Sequence, residues 1–387
     1  MKESVIGYTT NCCAGESAAE LIAAVRTEIA AIRKLLRPSE PLNLSVRISA
    51  QAAKEFSADA RLLDEFRAAL DAAGASLVSV DAFPVSAPKK GVYKNGIYVP
   101  DWSSRARLAA TIEIARIAAA LVPEGTRVTL TTLTGTYRGW AGADSPSVEE
   151  SCARNLLDCA QDLDMLSAES GRELVLALEP EPFTTAEALP DTLRYFRTRL
   201  FGSSQQAFAR RRLAVNLDLC HAAVMFEDPV ENLRAYAREG IQVAGLHVSA
   251  ALRLERVAEN TAGLAALSSL DEPVYLHQVS AVDRSGNIVF RSPDLGEFLE
   301  LGREQLGTLA EARVHFHVPV FASEVDGLGT TADLIAPALS EARAGNHTNL
   351  FIVETYAWKL LAGGEGTVPS VAEGIAHELD AIRAMLP

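Results

Sequence analysis

With 387 residues, 48% of them apolar, the chain can bury a large core, enough for one large barrel or two smaller domains. A formal charge of −14 weighs against sequence-independent nucleic-acid binding, which needs basic groups on phosphates. No apolar run approaches the ~20 residues of a membrane span, the start Met1-Lys-Glu-Ser-Val-Ile-Gly has no leader-like pattern, and the five cysteines form no CxxC pair, so a soluble cytoplasmic protein with free thiols and no membrane insertion is expected.

A strand-like run at 4–9 precedes residues 16–36, where apolar residues recur at three- and four-residue spacing. The same strand-then-helix unit recurs at 42–49 with 59–73, at 76–83 with 103–121, and at 127–133 with 147–170. Asp59 and Ser103 stand where helix N-caps belong. Four further runs each end on a potential metal ligand: Leu174-Val-Leu-Ala-Leu-Glu179, Leu213-Ala-Val-Asn-Leu-Asp218, Val243-Ala-Gly-Leu-His247 and Leu350-Phe-Ile-Val-Glu354. Helical patterns cover 185–200, 229–239 and 371–385, and Arg210-Arg211-Arg212 reads as a solvated loop before a strand. Eight such strands alternating with helices predict α/β architecture, a single (β/α)8 TIM barrel spanning 1–387. An open doubly wound sheet competes less well, because no strand leads into GxGxxG and no GxxxxGK[ST] loop occurs.

Two segments exceed ordinary loop length, 84–102 and 249–345, and are expected as insertions over the C-terminal face of the barrel. In the first, Asn95-Gly96 between short β-prone runs reads as a hairpin turn. The second contains a helical part, the run from Val274, a turn at Arg284-Ser-Gly-Asn and the strand-like Arg313-Val-His-Phe-His-Val. Aromatics near the mouth, Phe83, Tyr93, Tyr98, Trp102, Tyr356 and Trp358, suggest a substrate more apolar than a free sugar, with loop packing as the plainer account.

A carboxylate or imidazole at the carboxyl end of a barrel strand sits where barrel enzymes do their chemistry. Glu179, Asp218, His247 and Glu354 are therefore candidate ligands of one divalent ion, Mn, Mg or Zn. Asp218-x-x-His221 places a second group beside the first, although an Asp helix cap with a packed His would look the same. Glu179 directly follows its apolar run, and Glu181 in Glu-Pro-Glu-Pro is the reserve. All seven histidines lie after residue 220. His315 and His317 alternate with Val314, Phe316 and Val318, so both imidazoles should share one strand face; His317 competes with His247 for the metal, while His315 and His277 are candidate substrate contacts together with His221 and Trp102.

The order Glu179, Asp218-x-x-His221, His247, Glu354 on successive strand ends resembles the xylose isomerase-like TIM barrels of the sugar phosphate isomerase and epimerase superfamily. Shorter phrases, Gly7-Tyr-Thr-Thr-Asn-Cys, Val99-Pro-Asp-Trp, Leu178-Glu-Pro-Glu-Pro, His315-Phe-His-Val-Pro and Val353-Glu-Thr-Tyr-Ala-Trp among them, are similar to one branch, the Ebo-cluster metabolite-traffic proteins of the E type. The resemblance implies that Glu179 and Glu354 bind metal and also shuttle a proton at a carbon next to a carbonyl. It implies that His221 holds a substrate hydroxyl. It leaves a homodimer open. A small hydroxy-carbonyl metabolite is the implied partner, either isomerised or merely bound and handed on.

Overall fold

The protein is described as a computed structural model covering residues 3–13, 15–82, 94–272, 275–356, 358 and 370–386. Eight parallel strands close into a barrel: β1 Val5–Thr9, β2 Leu42–Arg47, β3 Ala75–Asp81, β4 Arg127–Leu133, β5 Glu173–Glu179, β6 Leu213–Asp218, β7 Val243–Val248 and, after a long excursion, β14 Leu350–Val353. The expected barrel is the observed one, and each expected strand is present. The excursion builds a six-stranded sheet in the order β10-β9-β11-β8-β13-β12, from β8 Ala250–Glu255, β9 Val279–Val282, β10 Ile288–Ser292, β11 Glu311–Val318, β12 Glu324–Val325 and β13 Leu328–Thr330. At the end of the segment expected as insertion, the helix Ile335–Ala344 packs on the helix Pro229–Arg238 and returns the chain to the barrel.

The side-chain period of two decides which residues enter the barrel. Leu174, Leu176 and Leu178 of β5 join the main core, while Val175 and Ala177 form a separate cluster with Ala214 of β6 and Ala244 of β7. Small residues suit the crowded interior, and Leu on the outer series each gain about 1.5–3 kcal/mol by packing under the helices. Glu179 continues the inner series of β5, and Asp218 continues that of β6. β7 needs a correction to its phase. Its register against β6 slips between Val215↔Val243 and Asn216↔Gly245, so Ala244 is the extra residue of a bulge that lets Val243 and Leu246 both face the core while His247 turns inward. A Cβ on the next residue, Gly245, would lie 3.2 Å from both Asn216 Oδ1 and Leu350 Cδ2, so glycine relieves a close approach beside the bulge.

Several local expectations are revised. The helical pattern at 16–36 is realised as helices Ala18–Ala24 and Ala30–Leu35 joined by a π-turn at Val25–Ile29, and it starts with a capping box of Ser17 and Glu20. A helix at Ala50–Ala58, capped by Ser49, was not expected. Asp59 caps its helix as expected, but the cap of Arg105–Leu121 is Ser104, because the hydroxyl of Ser103 is drawn to Asp101 instead. The three arginines end the helix Gln206–Arg212 rather than forming a loop, and Arg211 and Arg212 both pair with Asp164. Asn95-Gly96 lies in a 3-10 turn, Lys94–Tyr98, and not in a two-residue hairpin; the preceding residues 84–93 are outside the described ones. Tertiary anchors override the turn preference here. Lys94 Nζ pairs with Asp294 at 2.6 Å, and the Tyr98 ring stacks on Tyr137 at 4.8 Å.

Candidate metal centre and cavity

Four inward-facing side chains meet at the carboxyl ends of β5, β6, β7 and β14. Asp218 and His247 are register partners, and the Glu354 N–H donates to Val248 O at 3.1 Å, which sets the ligands at one level. One ligand atom each from Glu179, Asp218, His247 and Glu354 lies within 4.8 Å of all the others, and all four residues are buried. Asp218 divides its oxygens. Oδ1 accepts from the His221 N–H at 2.7 Å and caps the short helix Leu219–Val224, while buried Oδ2 accepts no hydrogen bond among the described residues. Helix cap and ligand are thus both true of this residue.

His247 Nδ1 lies 3.1 Å from Glu179 Oε1 and 2.5 Å from Glu354 Oε2. One nitrogen carries one proton, and it is aligned on Glu179, so Glu354 Oε2 accepts no aligned hydrogen bond despite its short separation. Asn216 Nδ2 supports Glu179 at 3.2 Å, and Asn11 Nδ2 and the Tyr356 hydroxyl support Glu354 at 2.8 and 3.1 Å. Burial pushes Asp218 well above the ordinary carboxylate range, and the charges of Glu179 and Glu354 push it further. Burial likewise raises Glu179. For His247 burial works downward, but the two glutamates outweigh it and hold the imidazolium well above its usual range. Three buried carboxylates against one imidazole leave an excess of negative charge with bare oxygens turned inward. This donor set fits a divalent cation such as Mg, Mn or Zn.

Above this floor, β11 supplies a wall of imidazoles. Its register against β8 is irregular between Val314 and Val318, where four steps on β11 match two on β8. Such a bulge re-aims side chains. His315 Nε2 lies 3.1 Å from His221 Nε2 and 2.8 Å from His317 Nε2. Burial lowers all three rings, His221 to about 3, His317 to about 4 and His315 well below its usual range, so they are neutral at neutral pH. Between floor and wall lies a cavity of about 320 Å³. Tyr98, Tyr275, Tyr356, Phe316, Ile97 and Leu276 give it a largely apolar lining.

No family model and no curated protein matches the sequence. Solved structures do share the fold. A xylose isomerase-like TIM barrel protein from Mycobacterium smegmatis, in complex with magnesium, superposes with a TM-score of 0.54 at 13% identity, covering 100% of both chains. A xylose isomerase domain protein from Planctomyces limnophilus gives 0.50 at 13% identity over 100% of this chain and 98% of that one. D-psicose 3-epimerase, crystallised in the presence of D-fructose, gives 0.50 at 12% identity over 98% and 99%. At such identities the likeness to the xylose isomerase-like barrels is one of fold.

Within this barrel the candidate residues divide into three groups. Glu179, Asp218, His247 and Glu354 come together. His221, His277, His315 and His317 line the cavity beside them, and His317 forms a ligand-sized group with Asp218 and His221, its Nδ1 3.9 Å from Asp218 Oδ2 and bonded to the Ser249 hydroxyl at 2.8 Å. His277 stacks on Phe316 at 3.8 Å and is bonded through both ring nitrogens, to His315 O and Glu272. Trp102 does not join the others. It is buried in the core, its Nε1–H donates to Thr132 Oγ1 at 3.0 Å, and it is no part of the cavity lining. The strict alternation expected of β11 also fails, since Phe316 lines the cavity together with His315 and His317. Reserve candidate Glu181 faces Tyr98 and Gln278 rather than the four ligands, and burial raises it to about 8. Of the mouth aromatics, Phe83 and Tyr93 lie outside the described residues. Asn11, Asn216, Ser249 and Gln278 escaped the sequence reading; Asn216 alone carried a signal, being two residues before Asp218 on the same strand face.

Among the described residues no helix is long and apolar enough to cross a membrane.

Proposed function

We propose that this barrel is a metal-dependent isomerase or epimerase-like enzyme acting on a small hydroxy-carbonyl metabolite that carries an apolar portion. The observation behind it is the meeting of Glu179, Asp218, His247 and Glu354, of which Glu179 and Glu354 line a largely apolar cavity. These four residues would hold one divalent ion, Mg, Mn or Zn, which when bound supplies Lewis-acid polarisation of a substrate carbonyl. Glu179 and Glu354 approach the site from non-adjacent strands and can exchange a proton with the carbon next to that carbonyl, one taking it and the other returning it. Asn216 holds the Glu179 carboxylate and Asn11 with Tyr356 holds that of Glu354, so each base keeps a fixed aim. The neighbours named for an epimerase and for a magnesium complex agree with this reading. Chain-specific phrases similar to the Ebo-cluster E-type proteins point to a second one, in which the same pocket binds a metabolite for traffic without turnover, and the apolar lining favours it.

Proton exchange separates the two. The metal-loaded chain is incubated in deuterated water with hydroxy-ketones bearing increasingly apolar substituents, and deuterium at the carbon next to the carbonyl is read by mass spectrometry. Incorporation that disappears in Glu179→Gln establishes the enzyme. Saturable binding without incorporation in any candidate would leave the traffic reading in its place.

A further inference from the structure

We propose that the cavity selects a ligand carrying a protonated amine, with Glu181 and His221 receiving the nitrogen and aromatic rings covering it. This rests on the reading of the cavity as the substrate site, and it names the charge class of what enters. Among the described residues no lysine or arginine lines the cavity, whereas Glu181 and Glu272 line it together with the two floor glutamates. A phosphate or carboxylate would meet repulsion there and find no cationic partner. Once a divalent ion has balanced the floor, Glu181 and Glu272 still keep the upper cavity acidic.

The polar groups around Glu181 offer acceptors to a ligand. Glu181 is buried, and Tyr98 and Gln278 both bond to its Oε1, which leaves Oε2 for the ligand. His221 Nδ1 faces Pro180 O at 3.0 Å, and a carbonyl oxygen only accepts, so Nδ1 carries the proton and Nε2 is a bare lone pair. His315 Nδ1 faces Gln278 Oε1, and that amide is oriented because its Nε2 donates to Glu181 and to the Tyr98 hydroxyl. The His315 Nε2 therefore carries no proton either, and it opposes the lone pair of His221 at 3.1 Å. His317 can give a proton to His315, since Ser249 can donate to its Nδ1, but His221 gains no donor from this. An N–H from a ligand supplies the missing one. One atom each from Glu181, His221 and His315 lies within 4.8 Å of the others, a span that a single nitrogen bridges with hydrogen bonds of about 2.9 Å. Burial raises Glu181, and a cation at Oε2 favours its charged form again.

The apolar lining agrees with a cation. Tyr98, Tyr275, Tyr356 and Phe316 all border the cavity, and ring faces attract an alkylammonium while they repel an anion. Tyr275 and Tyr356 stand 6.2 Å apart with planes tilted by 50°, so their rings form a corner. Carboxylates and aromatic rings without a basic side chain make up the surroundings that recognise organic cations. Glu272, Tyr275 and Phe316 lie in the insertion, so the ligand's charge class is set there and not by the barrel strands.

Binding is read without turnover. Full-length chain loaded with Mg²⁺ is titrated calorimetrically at neutral pH with tyramine, tyrosol and 4-hydroxyphenylacetate, phenols of similar frame ending in an ammonium, a hydroxyl and a carboxylate. Tyramine should bind about tenfold tighter than tyrosol, and the acid should bind weakest. Glu181→Gln, which keeps the shape and removes the charge, should erase most of that preference. Tyr275→Leu, at the exposed rim, should narrow it and decides the matter should Glu181→Gln fail to fold. Tyrosol or the acid matching tyramine, no saturable binding of tyramine, or a preference left whole by the folded variant would overturn the proposal. An ammonium preference without deuterium exchange would keep this ligand class and remove the enzyme; exchange in neutral ketones with no such preference would do the reverse.

Discussion

The floor and the wall of the cavity are built by opposite means. The floor uses parallel strands whose carboxyl ends are brought level by the barrel itself, and its ligands are carboxylates with one imidazole. The wall uses an antiparallel sheet inserted after β7, a register irregularity in β11, and imidazoles kept neutral by burial. Carboxylates at close quarters repel and call for a cation or a proton; neutral imidazoles tolerate burial but present lone pairs. A barrel can thus keep its floor while an insertion changes what the cavity recognises.

The largest expected effect separates floor from wall directly. Glu179→Gln and Glu354→Gln should each lower proton-exchange turnover by about 10³-fold, the range of a general acid or base, with the imidazole wall intact. Single-turnover measurement on metal-loaded protein checks this, and wild-type activity in both variants would show that the floor is not the reacting surface.

Glu378 joins the two regions. Its carboxylate accepts from the Thr355 hydroxyl and the Trp358 indole, just after Glu354, and from the Val320 N–H, just after β11. Burial raises it from 4.5 to about 7, against hydrogen bonds that pull it down. Below the unfolded value of 4.5 the group is protonated in both states. As pH rises from 4.5 to 7 the unfolded chain releases the proton first, so stability falls through that window, by about 3 kcal/mol on linkage, and then levels. Glu378→Gln should flatten this slope in urea denaturation at pH 5 and pH 8.

Asp218→Asn should act with opposite signs in the two metal states. Burial and the neighbouring charges of Glu179 and Glu354 make the carboxylate unfavourable without a cation, so the metal-free variant should be more stable than wild type by about 1–2 kcal/mol. Metal should then stabilise the variant less than it stabilises wild type. Thermal melts with and without added Mn²⁺ read both signs; the Asn oxygen can keep the cap on His221 N–H, so destabilisation of the metal-free variant would show that repulsion among the carboxylates does not govern Asp218.

The floor was legible in the sequence and the wall only half so. A four- to six-residue apolar run ending on Glu or Asp states both the strand and the side its last residue faces, because the period is two and the run is local. His247 follows from the same logic, although its inward aim depends on the bulge at Ala244 that no periodicity reveals. His315 and His317 were visible as a pair, but their place beside His221 depends on the order β9-β11-β8, a long-range pairing absent from local pattern. Trp102 shows the complementary case: its position in a long loop near the mouth suggested a substrate contact, with loop packing as the plainer account, and the structure packs it on Thr132 and in the core.

Tyr98→Phe tests the wall at its smallest scale. The hydroxyl donates to Glu181 at 2.8 Å and accepts from Gln278 Nε2 at 3.1 Å, so it helps to hold the amide whose oxygen orients His315. Removing it leaves the ring stacked on Tyr137 and costs two hydrogen bonds, about 2 kcal/mol of stability. Glu181 loses a donor to its charged form and should titrate higher still than its present value of about 8. Because Gln278 keeps its bonds to Glu181 and Pro182, its amide oxygen should still face His315 Nδ1. A loss of stability in urea denaturation well beyond that of the two bonds would make Tyr98, through Gln278, the group that fixes the amide against rotation.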